Sequence, residues 1–261
     1  MSPGRRSWSV RSVAMPLLTL DRHGSGPPLA WLHGFTQTRA SARQFRTILA
    51  GHHEVLTLDL PGHGDAASAN ATLPEIARLV LDALPQEPVA LGGYSFGARV
   101  ALHVALADPS RLRRLIVLGG SRGILDHDER VQRQTRDEAL AAHLEIVGTE
   151  VFMSEWLSQP LFATLGPHAE SDTRSRDAHG LAQSLRSAGT GTQQWLGERL
   201  AGLDVPTLAL AGELDAKFVL EARAIAEAVP VGHFVPITAA GHAAHLEQPE
   251  RVARAIEEFL D

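Results

Sequence analysis

The chain has 261 residues, enough for one domain with a sizeable core, and its 44% apolar content is ordinary for a globular protein. A formal net charge of -6 at pH 7 argues against nucleic acid or an anionic membrane as partner, and no apolar run is long enough to span a bilayer. With no cysteine, disulfides, thiolate metal sites and cysteine nucleophiles are excluded, and the chain fits a reducing cytoplasm.

Residues 1–14 are basic and lack the apolar stretch of a secretory signal. They read as a disordered leader before a start at Met15, with a transit peptide as the rival. The first strand-like run, PLLTL, begins at Pro16. Residues 29–32 (LAWL), 55–59 (VLTLD), 89–92 (VALG) and 115–118 (LIVL) follow. Each is short, continuous and bounded by Gly or Pro, as expected of strands buried on both faces of a parallel sheet. Residues 73–84 carry apolar side chains at helical spacing, and the alternation of strand and helix predicts an α/β fold.

From 121 to 200 the rhythm breaks. The segment is rich in Ala, Leu, Gln, Arg and Glu, shows no strand pattern and predicts several helices. Alternation returns with a strand over 206–211, a helix over 219–228, a strand near 233–237 and a helix over 249–260. The organisation expected is a core from 15–120 and 201–261, with 121–200 inserted as a helical cap over the strand ends, where doubly wound sheets bind ligands.

Gly93-Tyr94-Ser95-Phe96-Gly97 is a G-x-S-x-G pattern between an expected strand and an expected helix. That context suits a nucleophile elbow, a sharp turn that lifts the serine oxygen above the sheet; the bland alternative is a Gly-rich turn with a capping serine. A serine hydroxyl needs an imidazole to take its proton. Of thirteen histidines, His242 lies late in the chain, after a glycine and between the last strand and last helix. His245 is its competitor and otherwise packs or caps the final helix. The imidazole needs an acid. Asp215 lies between Ser95 and His242 in chain order, with Glu213 as the alternative; Asp59 and Asp204 read as caps or turns. For a developing oxyanion, the expected donors are the backbone N–H groups of Phe96 and Phe35. His33-Gly34 is otherwise a plain turn, and His63 reads as structural.

Arg99 falls in the first turns of a helix that is apolar all round (VALHVALA) and therefore buried. A cation at a helix N-terminus is disfavoured by up to about 1 kcal/mol. A buried unpaired charge costs more. Arg99 therefore needs an internal Asp or Glu, or an opening onto the pocket, where its planar fork suits a substrate carboxylate.

Together LHGF, DLPGHG, GYSFG, GELD and AGH resemble the α/β-hydrolase family from Leu17 onward. That implies a mostly parallel central sheet with helices on both faces and a helical cap. More specifically, GYSFGAR, RQTRDEALAAHL, FMSEWLSQPLFATL, LAQSLRSAGTGTQQWL and GELDAKF resemble the 2-succinyl-6-hydroxy-2,4-cyclohexadiene-1-carboxylate synthases of menaquinone biosynthesis. By that resemblance the triad is Ser95, Asp215 and His242. Arg99, Arg133 and Arg174 would meet substrate carboxylates, with Arg176 as an alternative to Arg174, and Tyr94 and Trp156 would be the aromatic pair. The implied reaction eliminates pyruvate from a succinylated enolpyruvyl cyclohexene carboxylate and needs no metal or organic cofactor. The expected partner is this small carboxylate substrate, with the protein a monomer or homo-oligomer. The alternative is a hydrolase cleaving an ester or carbon–carbon bond of a small acidic substrate. A non-catalytic binding protein fits a complete triad less well.

Overall fold

A computed structural model describes residues 18–165 and 171–261. The leader expected over residues 1–14 lies outside them. Seven strands form one sheet: β1 (Leu20–His23), β2 (Pro28–Leu32), β3 (Glu54–Leu58), β4 (Val89–Tyr94), β5 (Leu112–Leu118), β6 (Thr207–Gly212) and β7 (Gly232–Ile237). Their order is β1-β3-β2-β4-β5-β6-β7. All neighbours are parallel except β1, which runs antiparallel to β3 with Leu20 opposite Leu58.

The helices are α1 (Arg43–Leu49), α2 (Leu73–Ala83), α3 (Phe96–Ala107), α4 (His127–Leu157), α5 (Ala178–Ala188), α6 (Gly197–Leu200), α7 (Ala216–Ala228), α8 (Ala244–Glu247) and α9 (Pro249–Leu260). None among the described residues is long and apolar enough to cross a membrane.

Strand alternation sorts the core into two layers. Ala30, Leu32, Leu56, Leu58, Leu91, Leu115 and Val117 face α2, α3 and α7, where Ile76, Val80, Val100 and Ile225 meet them. Leu29, Trp31, Val55, Ile116, Leu208 and Leu210 face the other way, onto Phe45 and Leu49 of α1 and Val252 and Ile256 of α9. Both faces of the central strands are apolar, which is why these runs read as continuous. The first described strand begins at Leu20, inside the expected PLLTL run. Its sequence, LDRH, is polar and half-exposed, and pairing with β3 rather than apolar content makes it a strand. Helix α1 was likewise not anticipated; seven residues are too few for a periodic signal.

Between β5 and β6 the described residues hold α4, α5 and α6 and no strand. Helices α4 and α5 share a small core of Ala141, Leu144, Phe152, Leu181 and Leu185, and α4 is broken at Gly148. After β2 the chain goes out to β3, then returns to place β4 on the other side of β2. The two strand ends at this switch point, β2 and β4, carry the His33-Gly34-Phe35 loop and Ser95, side by side.

Candidate active site

Ser95 stands between β4 and α3 with φ 51° and ψ -103°, a strained conformation for a non-glycine residue that costs of order 1–3 kcal/mol. The turn is held by the Ser95 N–H donating to the Leu118 carbonyl (2.8 Å) and the Arg99 N–H donating to the Ser95 carbonyl (3.1 Å). Its tightness explains the flanking glycines: a side chain at Gly93 would strike the Gly97 backbone, and one at Gly97 the Leu32 carbonyl.

His242 Nε2 lies 3.1 Å from Ser95 Oγ, and His242 Nδ1 lies 2.8 Å from Asp215 Oδ2. A carboxylate accepts, so Nδ1 carries the hydrogen and Nε2 offers its lone pair to the serine hydroxyl. Asp215 is fixed as the N-cap of α7, its Oδ1 accepting the Phe218 N–H at 3.3 Å. The His242 ring is packed by Phe218 (4.4 Å between centroids) and Tyr94 (5.3 Å).

The rivals lie elsewhere. Glu213 is exposed, two residues before the capping position. His245 is buried in α8 against Tyr94, Trp31 and Phe45, with neither ring nitrogen hydrogen-bonded. Burial, then nearby His242 and Arg174, push its pKa down to about 3. Asp204 is exposed. Asp59 is buried and does more than form a turn: it takes the Arg39 guanidinium at 2.7 Å and the N–H groups of Arg39 and Asp65.

Among the described residues the N–H groups of Phe35 and Phe96 donate to no protein acceptor. The Gly34–Phe35 peptide is held by its other groups. The Gly34 carbonyl accepts from His33 Nδ1 (2.9 Å) and the Gln37 N–H (3.1 Å), while the Gly34 N–H donates to Gln37 Oε1 (2.8 Å). The Leu60 N–H donates to His33 Nε2 (3.0 Å), which fixes the tautomer. Burial lowers the His33 pKa to about 4, so the ring is neutral near pH 7. His63 is buried behind this loop, stacked on Phe96 at 5.4 Å, and its pKa falls to about 3 through burial and then His33.

A cavity of about 860 Å³ opens above Ser95 and His242. Its lining includes Phe35, Tyr94, Phe96, Arg99, Arg133, Trp156 and Arg174, so all the sequence-derived positions border one space except Asp215, which stands behind His242. Arg99 is only 9% exposed. Its Nη1 donates to the Ala188 carbonyl (3.0 Å) and Gln193 Oε1 (3.4 Å), and its guanidinium lies 5.4 Å from the Phe96 ring centre. It meets no carboxylate within 4 Å among the described residues, so the internal ion pair is absent. Burial, then Arg133, lower its pKa to about 10, which leaves it charged. Arg133 differs: its Nε donates to Asp137 Oδ1 at 2.7 Å. Arg174 is buried and donates from Nη1 to Thr36 Oγ1 at 2.6 Å; Arg176 is exposed and outside the lining. Burial pushes the Tyr94 pKa up, so its hydroxyl stays protonated. Trp156 stacks on Phe152 at 5.8 Å and meets the edge of Phe35 at 5.3 Å.

The family model described as "Alpha/beta hydrolase family" matches residues 23–255. The chain belongs to the alpha/beta hydrolase family. Within it, the chain is 32% identical over 247 residues to the putative 2-succinyl-6-hydroxy-2,4-cyclohexadiene-1-carboxylate synthase of Bacillus subtilis, covering 88% of each. It is 34% identical to the synthase of that name from Klebsiella pneumoniae, covering 92% of this chain and 97% of that one. Among solved structures, MenH from S. aureus superposes with a TM-score of 0.85 at 32% identity, covering 94% of this chain and 98% of that one. A malate-bound thermophilic esterase from Thermogutta terrifontis superposes at 0.79 and 26% identity, covering 93% and 92%.

For this alpha/beta hydrolase, sequence reasoning missed Gln37, which clasps Gly34 and lines the cavity, and the lining residues Phe162, Lys217 and Phe218. Gln37 left no local signal, because its role appears only once the loop is folded. Lys217 and Phe218 were in view within GELDAKF, directly after Asp215.

Proposed function

We propose that the protein is a carbon–oxygen lyase that eliminates pyruvate from a succinylated enolpyruvyl cyclohexene carboxylate, giving 2-succinyl-6-hydroxy-2,4-cyclohexadiene-1-carboxylate for menaquinone biosynthesis. Ser95 Oγ takes a ring hydrogen next to the succinyl carbonyl and passes its own proton to His242 Nε2. Asp215 stabilises the resulting imidazolium. Negative charge gathers on the carbonyl oxygen, where the N–H groups of Phe35 and Phe96 receive it. The electrons then move through the ring and break the bond to the enolpyruvyl oxygen. The departing enolate regains a proton from His242 and becomes pyruvate.

One observation carries the acidic substrate: Arg99, a buried guanidinium without a carboxylate partner, borders the same cavity as Ser95. A desolvated unpaired cation is costly until an anion arrives. An apolar ester would leave that cost standing. Arg133 and Arg174 fit the role of further carboxylate contacts, with Tyr94 and Trp156 as walls of the pocket. Residues 121–200 fit the role of a cap, since α4 and α5 contribute to the lining. The lack of cysteine agrees with work in the cytoplasm.

Hydrolysis of a small acidic ester is the second reading, favoured by the likeness to the esterase. A lactate dehydrogenase-coupled assay separates the two. Pyruvate release from the enolpyruvyl substrate is the expected result, and its absence removes the lyase reading.

A further inference from the structure

Of the chain's 24 lysine and arginine residues, Lys217 is the only lysine. Everywhere else the sequence uses arginine for positive charge, and the single exception borders the active-site cavity. It stands in the first turn of α7, two residues beyond Asp215. Its ammonium lies 5.3 Å from the Phe218 ring centre, and that ring is 4.4 Å from His242.

Unlike buried Arg99, Lys217 is exposed, so water meets its charge, yet a helix N-terminus still disfavours a cation there. Nor is the charge neutralised within the protein. Among the described residues Lys217 has no ion-pair partner. Glu221, one turn further along α7, is taken by Arg122 at 3.4 Å, and Arg122 in turn rests 4.9 Å from the Trp195 ring centre. Asp215 is taken by His242. Asp126 and Glu129 border the same cavity but lie beyond ion-pair reach of Lys217.

We propose that the Lys217 ammonium binds a second carboxylate of the substrate, distinct from the one on Arg99, on the α7 side of the cavity. This rests on the acidic-substrate reading above. Helices α3 and α7 follow β4 and β6, two strands apart in the sheet, so their starts lie about 10 Å from one another. Arg99 and Lys217, neither with a carboxylate partner, therefore project from well-separated supports, and a substrate with carboxylates at both ends satisfies both. A lysine suits the outer place: its compact ammonium on a flexible stem follows a mobile carboxylate, whereas an arginine fork demands a fixed one.

The sole lysine makes the test direct. The Ser95→Ala variant, which holds the enolpyruvyl substrate without turning it over, is treated with N-hydroxysuccinimidyl acetate, and labelling of the Lys217 peptide is read by mass spectrometry. Saturating substrate is expected to slow its acetylation at least fivefold. In the otherwise native enzyme, Lys217→Gln is expected to raise KM about tenfold with kcat changed less than threefold, and Lys217→Arg to recover part of the loss. Unprotected labelling, or a Lys217→Gln enzyme with unchanged KM, overturns the proposal while pyruvate release by the parent enzyme leaves the lyase reading intact. No pyruvate from the parent enzyme removes both.

Discussion

Arg174 and Thr36 join the segment that follows α4 to the loop that carries Phe35: Arg174 Nη1 donates to Thr36 Oγ1 at 2.6 Å. The Ser175 N–H reinforces the joint by donating to the Thr36 carbonyl at 2.8 Å. Thr36 sits at φ 70°, an uncommon place for a β-branched residue. The residue directly after Phe35 is thus held in a costly conformation by chain that lies more than a hundred positions away.

Replacing Thr36 by valine keeps the shape and removes the acceptor. The expected cost is about 1–3 kcal/mol, since a buried charged donor loses a partner. Urea unfolding measures the stability. Activity is expected to fall in kcat through the N–H of Phe35, and KM is expected to rise as well, because Arg174, one of the proposed carboxylate contacts, loses its partner. A variant with parental kcat would detach Thr36 from the oxyanion loop's function.

Ser95→Ala is expected to abolish turnover, and Asp215→Asn to lower kcat by about 10⁴ by favouring the wrong imidazole tautomer. On the proposed mechanism Ser95, His242 and Asp215 act as one unit, so Ser95→Ala combined with Asp215→Asn is expected to be no worse than Ser95→Ala alone. Rates of pyruvate release from single and double variants check this. Additive losses would mean that Asp215 acts independently of the serine.

Arg99→Met separates binding from folding. Removing a buried charge with no carboxylate partner is expected to leave Tm no lower than the parent's. The same change is expected to reduce kcat/KM for the acidic substrate by about a hundredfold, the worth of a charge-assisted contact in a desolvated site. Scanning calorimetry and steady-state kinetics on one preparation report both. A large drop in Tm with kcat/KM preserved would make Arg99 a structural residue.

Acid is expected to destabilise the fold through His33, His63 and His245, whose pKa values are lowered by burial to about 4, about 3 and about 3. Above about pH 6.5 each is neutral in both the folded and unfolded chain and contributes no pH dependence. Below that, the unfolded chain takes up protons that the native state refuses. Stability then falls by up to about 1.4 kcal/mol per pH unit for each ring until the native pKa is reached. Urea midpoints at pH 7 and pH 5 test this. His245→Leu is expected to show a shallower loss between the two, whatever its stability at pH 7.

The sheet's parallel strands were readable because both of their faces are buried, leaving continuous apolar runs between turns. The elbow was readable because its demands are local: a strand, a tight turn and a helix within a dozen residues, with glycines where side chains would strike backbone. Strand β1 was not, since LDRH carries no apolar pattern and becomes a strand only by pairing with β3. Gln37 was not, because its partner Gly34 is reached through a turn that the composition does not announce.

The sequence by itself determined the class of fold, the position of Ser95 and the presence of a cation at Arg99 that had to be answered by an anion or an opening. It left two histidines and two acids in contention. Only the tertiary structure chose, because the choice depends on contacts between residues 27 and 147 positions apart. Adding β6 and β7 to the sheet beyond β4 and β5 brings His242 and the capping Asp215 over Ser95, leaves Glu213 in solvent and packs His245 among aromatic rings. The same packing left Arg99 without a carboxylate and opened it onto the cavity. Local pattern sets which groups are on offer, and long-range packing sets which of them meet.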